Sequence, residues 1–209
     1  MPLNLIIPMA GRGERFKKAG YTDYKPFIKI NEKFMYEYVT KNFPDHVSVW
    51  IITCKKYLNE SQINYLRKKK INILFISPHK LGPAYSIRKC KDKLPLNESF
   101  FISYCDIDWK WNYNLVKNEL DRDGIVFTHN KFHPHKLVNN YAAFCKAKDN
   151  QLFEIREKES FTKEWMNEDL SVGIFYIKSG IKMIESIENL VKKKITVSSE
   201  YFPSLIFNN

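Results

Sequence analysis

Short apolar segments alternate with segments of helical spacing along the first 130 residues, and no other feature restricts the fold as much. β-Branched and aromatic runs predict strands over residues 3–8, 47–53, 71–76, 100–104 and 124–128. Apolar positions with helical spacing predict helices over residues 34–43, 59–69, 82–91 and 115–120. Because parallel strands need long crossovers, usually helices, the alternation predicts a Rossmann-like α/β fold with a doubly wound, mostly parallel sheet.

The pattern changes after residue 130. Segments 141–148 and 152–155 flank Asp149-Asn150 and predict a β-hairpin, which is followed by a strand over 172–177 and a helix over 181–191. No repeat or low-complexity linker divides the chain. We therefore expect one domain over residues 1–209, in which a first half (1–130) and a hairpin-bearing second half (131–209) share one sheet.

The formal net charge of +11 and the pI of about 9.3 favour anionic partners. Much of this charge lies in Arg67–Lys70 and Lys192–Lys194, at predicted helix ends. Cations there complement the helix dipole and are usually solvated, so charge alone does not select a partner. The marks of an RNA-binding module, an aromatic strand motif or a G-x-x-G loop between helices, are missing, and we expect no nucleic-acid partner.

The four cysteines show no C-x-x-C spacing, so neither a zinc site nor a disulfide framework is expected. Cys54, Cys105 and Cys145 lie in apolar runs and are interpreted as small buried hydrophobic residues. The amino terminus has no signal pattern and no segment reaches the length of a membrane span. These observations together predict a cytoplasmic protein without a membrane partner.

A glycine loop, Ala10-Gly11-Arg12-Gly13-Glu14-Arg15, follows the first predicted strand. Ligands of open α/β sheets bind at the carboxyl ends of strands, and glycines let backbone amides approach a polyphosphate closely. A plain turn is the alternative for the glycines alone. Dinucleotide-binding and Walker A loops are disfavoured, because Phe16 occupies the third glycine position and no G-K-[S/T] follows.

Five segments in order resemble the sugar-nucleotidyltransferase-like (NTP transferase) family. They are "IIPMAGRGERF…YKPFI", "SPHKLGPAYSI", "FFISYCDID", "LFEIREKESF" and "SVGIFYIKSG", and the resemblance extends from Leu3 to about Phe207. Phe132-His133-Pro134-His135 is similar to the F-H-P-H of bacterial capsule-type members. The resemblance implies transfer of a nucleoside monophosphate, CMP favoured, from an NTP to a small phosphorylated acceptor such as phosphoglutamine or a sugar 1-phosphate, for surface polysaccharide precursors.

The resemblance also implies roles on the nucleotide side. Residues expected to bind the nucleotide are Pro8, Ala10, Gly11, Arg12, Gly13, Ser77, Gly82 and Pro83. Arg15 is expected to bind the departing β- and γ-phosphates, and Lys25 the α-phosphate. The acceptor phosphate is already ionised at neutral pH, so the chemistry needs positioned cations and a hard metal rather than a general base.

Asp106 is the expected Mg²⁺ ligand, because it follows a strand and Mg²⁺ prefers one or two carboxylates plus phosphate oxygens. A helix-capping role is its alternative. Asp108 completes a D-x-D element of the kind that metal-dependent glycosyltransferases use, and i, i+2 carboxylates on a strand would reach one ion. That makes a glycosyltransferase the rival enzyme class. A surface cap is the alternative role for Asp108. Relatives usually supply a second metal ligand from a later stretch, which we expect to lie beyond Asn209 in a longer chain.

The second half is expected to bind the acceptor. The resemblance assigns Glu157 and Lys158 to the acceptor phosphate and places Gly173 in the strand against it. His133 and His135 flank Pro134, which indicates a rigid loop. With Arg156 they are interpreted as further acceptor-binding residues, and the alternatives are unengaged loop histidines or a metal site.

Overall fold

The computed structural model describes residues 2–138 and 140–208. Its strands are β1 Leu3–Pro8, β2 Lys29–Ile30, β3 Lys33–Phe34, β4 Ser48–Thr53, β5 Asn72–Phe75, β6 Ser99–Ser103, β7 Gly124–His129, β8 Ala143–Lys148, β9 Gln151–Glu157 and β10 Asp169–Ile177. Its α-helices are α1 Glu14–Lys18, α2 Met35–Thr40, α3 Glu60–Lys68, α4 Gly82–Arg88, α5 Tyr113–Lys117 and α6 Gly180–Lys192.

Eight strands form one mixed sheet in the order β5-β4-β1-β6-β10-β8-β9, with β7 paired to β10. The strands β5, β4, β1 and β6 are parallel, whereas β10 runs antiparallel to β6, β7 and β8. The predicted doubly wound α/β fold is confirmed. The predicted hairpin is β8–β9, and it joins the same sheet through β10.

Side chains that alternate along the buried strands pack against helices on both faces of the sheet. Ile6 and Ile102 face a core that includes α4 and α6, whereas Leu5, Ile7 and Phe101 face a second core that includes α2 and α3. Successive side chains of a strand point to opposite faces, so near-continuous apolar runs become two packed layers. This rigid sheet presents the loops that follow β1, β5 and β6 at one edge.

Local details agree with the sequence in most elements. Asn59 caps α3, since its side chain accepts from the Gln62 amide, and Asp149 and Asn150 adopt positive φ in the hairpin turn. The short elements α1, β2 and β3 were not predicted, because stretches of two to five residues carry too little periodicity. All four cysteines are free and buried, including Cys90.

Candidate active site

The loop after β1 is held close to the segment that carries Lys25. Gly13 has φ +65° at the start of α1, and a Cβ there would lie 3.2 Å from the Lys25 Cβ. A larger residue would therefore combine backbone strain with a tight contact. Pro26 lies in a short 3₁₀ turn, Lys25–Phe27, that holds the lysine beside the loop.

Lys25 reaches across to the end of β6. Its Nζ lies 2.5 Å from Oδ2 of Asp106 and 5.2 Å from the centre of the Phe16 ring. The glycine loop and the predicted metal ligand therefore face one another. Arg15 and Asp106 line the same cavity.

Two adjoining cavities lie at this edge of the sheet. The loop cavity, of about 760 Å³, is lined by the glycine loop, the start of α4 and part of the 197–208 segment. The hairpin cavity, of about 580 Å³, is lined by parts of β9, β10 and the residues after β6. Their common wall consists of Arg15, Phe16, Lys25, Tyr104, Asp106, Tyr141, Lys158, Glu200 and Phe202.

Most of the predicted site residues converge on these cavities. The loop cavity is lined by Pro8, Ala10, Gly11, Arg12, Gly13, Arg15, Lys25, Gly82, Pro83, Asp106 and Lys158. The hairpin cavity is lined by His135, Glu157 and Gly173 as well as residues of the common wall. Ser77, Asp108, His133 and Arg156 line neither cavity.

The two carboxylates of the D-x-D element have different partners. Asp108 pairs with Lys41, whose Nζ lies 3.0 Å from Oδ1, whereas Asp106 pairs with Lys25. The strand β6 ends at Ser103, so the alternation that would place both carboxylates on one side does not extend to residues 106–108. The arrangement does not bring Asp108 to the cavity, and the glycosyltransferase interpretation loses its structural basis.

Strand alternation also separates Arg156 from Glu157. The Arg156 guanidinium pairs with Glu154 at 2.8 Å and lies 4.4 Å from the Phe161 ring, away from the hairpin cavity. Glu157 lines that cavity and is buried, and its Oε2 accepts a hydrogen bond from the Ser204 hydroxyl at 2.6 Å. Burial raises the pKa of the Glu157 carboxyl, although Ser204 and Lys158 oppose this effect.

The histidine loop is anchored by a buried lysine that sequence reasoning missed. Lys136 is fully buried, and its Nζ donates to the carbonyls of Asn130, Met166 and Glu168 at 2.8–3.0 Å. The neighbouring His135 reaches the hairpin cavity, whereas His133 uses its Nδ1 to accept from the His135 amide. The sequence around Lys136 does not indicate this burial. Its three acceptors are main-chain carbonyls, which every residue has, so no side chain marks them in the sequence.

His79, which lines the loop cavity, is another residue that was not predicted. Its Nδ1 accepts from the Leu81 amide at 3.1 Å, so the other ring nitrogen carries the proton and donates to the Ser86 hydroxyl at 3.1 Å. The Ser86 hydroxyl can then donate to the Gly82 carbonyl at 3.3 Å. Burial lowers the pKa of His79, and the nearby Lys89 lowers it further. Neutral His79 therefore braces the turn at which α4 begins, whereas Ser77 is exposed.

The 197–208 segment closes both cavities and supplies Glu200. Leu81 and Ala84 exchange backbone hydrogen bonds with Tyr201, and a Cβ on Gly82 would lie 2.7 Å from the Tyr201 carbonyl oxygen. Gly82 is therefore required for close packing of this segment as well as at the cavity. Glu200 lines both cavities together with Asp106, so a second acidic residue is available within the chain.

Clusters of three or more potential metal ligands are absent from residues 2–138 and 140–208. Two carboxylates on one cavity wall still suit Mg²⁺, which takes its other ligands from phosphates and water. Across the same residues, no helix has the length and apolar character needed to cross a bilayer.

The mostly parallel sheet, with a glycine loop and an acidic residue meeting at the carboxyl ends of its strands, defines a nucleotidyltransferase-type Rossmann-like fold. Residues 5–159 match the MobA-like NTP transferase domain, and the chain belongs to that family.

Individual relatives agree with this assignment. The chain is 21% identical over 222 residues to the UTP–glucose-1-phosphate uridylyltransferase of Synechocystis sp.. The alignment covers 98% of this chain and 55% of that protein. It thus spans about half the length of this curated relative. The Vibrio cholerae RC9 nucleoside-diphosphate-sugar pyrophosphorylase superposes with a TM-score of 0.74 at 17% identity, covering 98% of this chain and 86% of that one. For the inositol-1-phosphate CTP transferase of T. maritima the TM-score is 0.67 at 15% identity, with coverages of 98% and 79%.

Proposed function

We propose that this protein transfers a nucleoside monophosphate from an NTP to a small phosphorylated acceptor and releases pyrophosphate. The observation that carries the proposal is the contact of 2.5 Å between Lys25 Nζ and Asp106 Oδ2. It brings the glycine loop and the acidic end of β6 to one wall shared by two cavities. The loop cavity is large enough for a nucleoside triphosphate, and the hairpin cavity adjoins it where transfer would occur.

In the proposed reaction an acceptor phosphate oxygen attacks the α-phosphorus of the NTP. A new P–O bond forms, the bond from the α-phosphorus to the α–β bridging oxygen breaks, and pyrophosphate leaves with that electron pair. The attacking oxygen is already ionised, so no proton must be removed. Arg12 and Arg15 would neutralise the leaving group, and Lys25 would stabilise charge that develops at the α-phosphate.

Mg²⁺ is the proposed cofactor, with Asp106 and Glu200 as the residues that would hold it. Both line the loop cavity, which fits the preference of Mg²⁺ for one or two carboxylates beside phosphate oxygens. When bound, the ion would neutralise phosphate charge. Lys25 would then be released from Asp106 to bind the substrate.

For the particular substrates, we favour CTP and phosphoglutamine, as in the CTP:phosphoglutamine cytidylyltransferase of capsular phosphoramidate assembly, in the cytoplasm. The F-H-P-H sequence at residues 132–135 and the likeness to a CTP transferase support this choice. One relative is named for UTP and glucose 1-phosphate. The alternative to be tested is therefore transfer of UMP to a sugar phosphate.

The experiment is a matrix of four NTPs against phosphoglutamine, glucose 1-phosphate and inositol 1-phosphate, with and without Mg²⁺, scored by pyrophosphate release. We expect pyrophosphate to require an acceptor, Mg²⁺ and one preferred NTP. Lys25→Ala should abolish turnover, whereas Lys18→Ala, which changes an exposed lysine of α1 outside both cavities, should not. Absence of acceptor-dependent pyrophosphate from every combination would refute the proposal.

A further inference from the structure

A tight turn, residues 197–200, forms part of the wall of the loop cavity. Its ends exchange two backbone hydrogen bonds, one from the Val197 amide to the Glu200 carbonyl and one from the Glu200 amide to the Val197 carbonyl, both of 3.0 Å. The two central residues, Ser198 and Ser199, have φ of +51° and +64°. Positive φ at both central positions is the requirement of a type I′ turn, in which asparagine, aspartate and glycine are favoured.

Serine is an unfavourable residue at both central positions of this turn. In the left-handed conformation the Cβ of an L-residue crowds its own backbone, and glycine avoids this crowding. A turn that served only to reverse the chain would be more stable with Asn-Gly. Residues that persist in such strained conformations cluster at functional sites. The two serines are therefore explained better by a function of the turn than by its stability.

The turn is fixed against the beginning of α4. Tyr201, the next residue, donates its amide to the Leu81 carbonyl at 2.9 Å and accepts from the Ala84 amide at 3.0 Å. A Cβ on Gly82 would lie 2.9 Å from the Glu200 Cβ, so the end of the turn and the beginning of the helix are in direct contact. The fold therefore holds the turn at the cavity before any ligand binds.

The two serines are not equivalent, although both are exposed. Ser198 lines the loop cavity, whereas Ser199 lines neither cavity. In the proposed reaction the α-phosphate would lie at the wall shared by the cavities, beside Lys25, and the glycine loop with Arg12 and Arg15 would bind the departing phosphates. The nucleoside is then left with the part of the loop cavity that is lined by the beginning of α4 and by the turn. Ser198 belongs to that part.

We propose that the Ser198 hydroxyl binds a ribose hydroxyl of the NTP, so that the turn selects ribonucleotides over deoxyribonucleotides. This inference deepens the proposed function and rests on it, because it assigns a specificity-determining residue to the same nucleotide site. A serine hydroxyl donates and accepts hydrogen bonds, which suits a partner that is itself a hydroxyl. Its exposed position suits the polar sugar better than the apolar faces of the base, which gain more from burial.

Matched glycine substitutions test the role of the hydroxyl. Ser198→Gly and Ser199→Gly should each keep the turn and raise the melting temperature by about 1–3 °C, because glycine adopts positive φ without strain. Only Ser198→Gly should raise the KM for the preferred NTP, by about three- to tenfold, with kcat changed less than about twofold. An unchanged KM in Ser198→Gly, or an equal rise in the two variants, would overturn the proposal.

Sugar analogues of the preferred NTP identify the group that Ser198 binds. In the wild type, the 2′-deoxy or the 3′-deoxy form should have a kcat/KM at least about fivefold below that of the ribonucleotide. Ser198→Gly should reduce this preference to about twofold or less, whereas Ser199→Gly should keep it. An unchanged preference in Ser198→Gly would overturn the assignment to the sugar and leave nucleotidyl transfer standing. No pyrophosphate from the wild type with any NTP and acceptor would reject the proposed function itself.

Discussion

The loop cavity and the hairpin cavity adjoin each other but are built differently. The loop cavity is lined largely by contiguous segments that follow parallel strands, such as residues 8–16 after β1 and the turn before α4. The hairpin cavity takes side chains from β9, β10, the histidine loop and the 197–208 segment, which are brought together by antiparallel pairing. A site on the loops of a parallel sheet is local in sequence, whereas one on paired strands is assembled over long separations.

The wall that the two cavities share is where a substitution should reduce activity most. Asp106→Asn should lower kcat by about 10²–10³-fold, since a charge that serves both cavities is lost. Asp108→Asn is the matched control, and it should change activity little, because its carboxylate pairs with Lys41 outside both cavities. Steady-state pyrophosphate release measures both. Equal losses in the two variants would restore the D-x-D interpretation.

A second prediction concerns the hairpin side alone. Lys136→Met should lower the free energy of unfolding by about 3 kcal/mol, because three carbonyls lose a charged donor in a buried place. Urea unfolding would measure the loss, with the exposed Lys131→Met as control. The acceptor KM should rise more than the NTP KM, since His135 lies on the loop that Lys136 anchors. Equal rises in the two KM values would show that the histidine loop does not act on acceptor binding alone.

The third prediction tests how the 197–208 segment is packed against the loop side. Gly82→Ala should destabilise the protein by about 2–3 kcal/mol, since φ is +85° and the new Cβ would lie 2.7 Å from the Tyr201 carbonyl oxygen. Gly20→Ala has a similar φ of +89° with open space around it, and should cost only about 1 kcal/mol. Urea unfolding of both variants isolates the packing effect. Equal costs would show that the segment can move away from α4.

The smallest expected effect is a pH dependence on the loop side. His79 has a folded-state pKa below its ordinary value of about 6.5, so the unfolded chain binds the proton first as the pH falls. The stability that neutral His79 provides is therefore present above pH 6.5 and declines below it. His79→Asn keeps an acceptor for the Leu81 amide but cannot titrate. The unfolding free energy of the variant minus that of the wild type should therefore be about 0.5–1 kcal/mol larger at pH 5.5 than at pH 7.5. His129 and His133, whose pKa values are also lowered, are present in both proteins and cancel.

Much of the loop side could be predicted because its signals are short-range. The apolar run before Gly11 predicts a strand, and Gly13 permits the positive φ that the loop adopts. The hairpin turn at Asp149-Asn150 was equally local. Period and turn chemistry depend on neighbours within a few residues, so the α/β class, the glycine loop and the order of most elements could be predicted from the sequence alone.

The contacts between polar groups, in contrast, could not be predicted from the sequence and became clear from the packed fold. Asp106 and Asp108 look alike in sequence, but one pairs with Lys25 across 81 residues and the other with Lys41 across 67. The burial of Lys136, the entry of Glu200 into both cavities and the unpaired Tyr104 hydroxyl depend in the same way on distant segments. Periodicity reports which face of an element is apolar, whereas the pairing of charges depends on where separate elements cross, and that is settled only when the chain has packed.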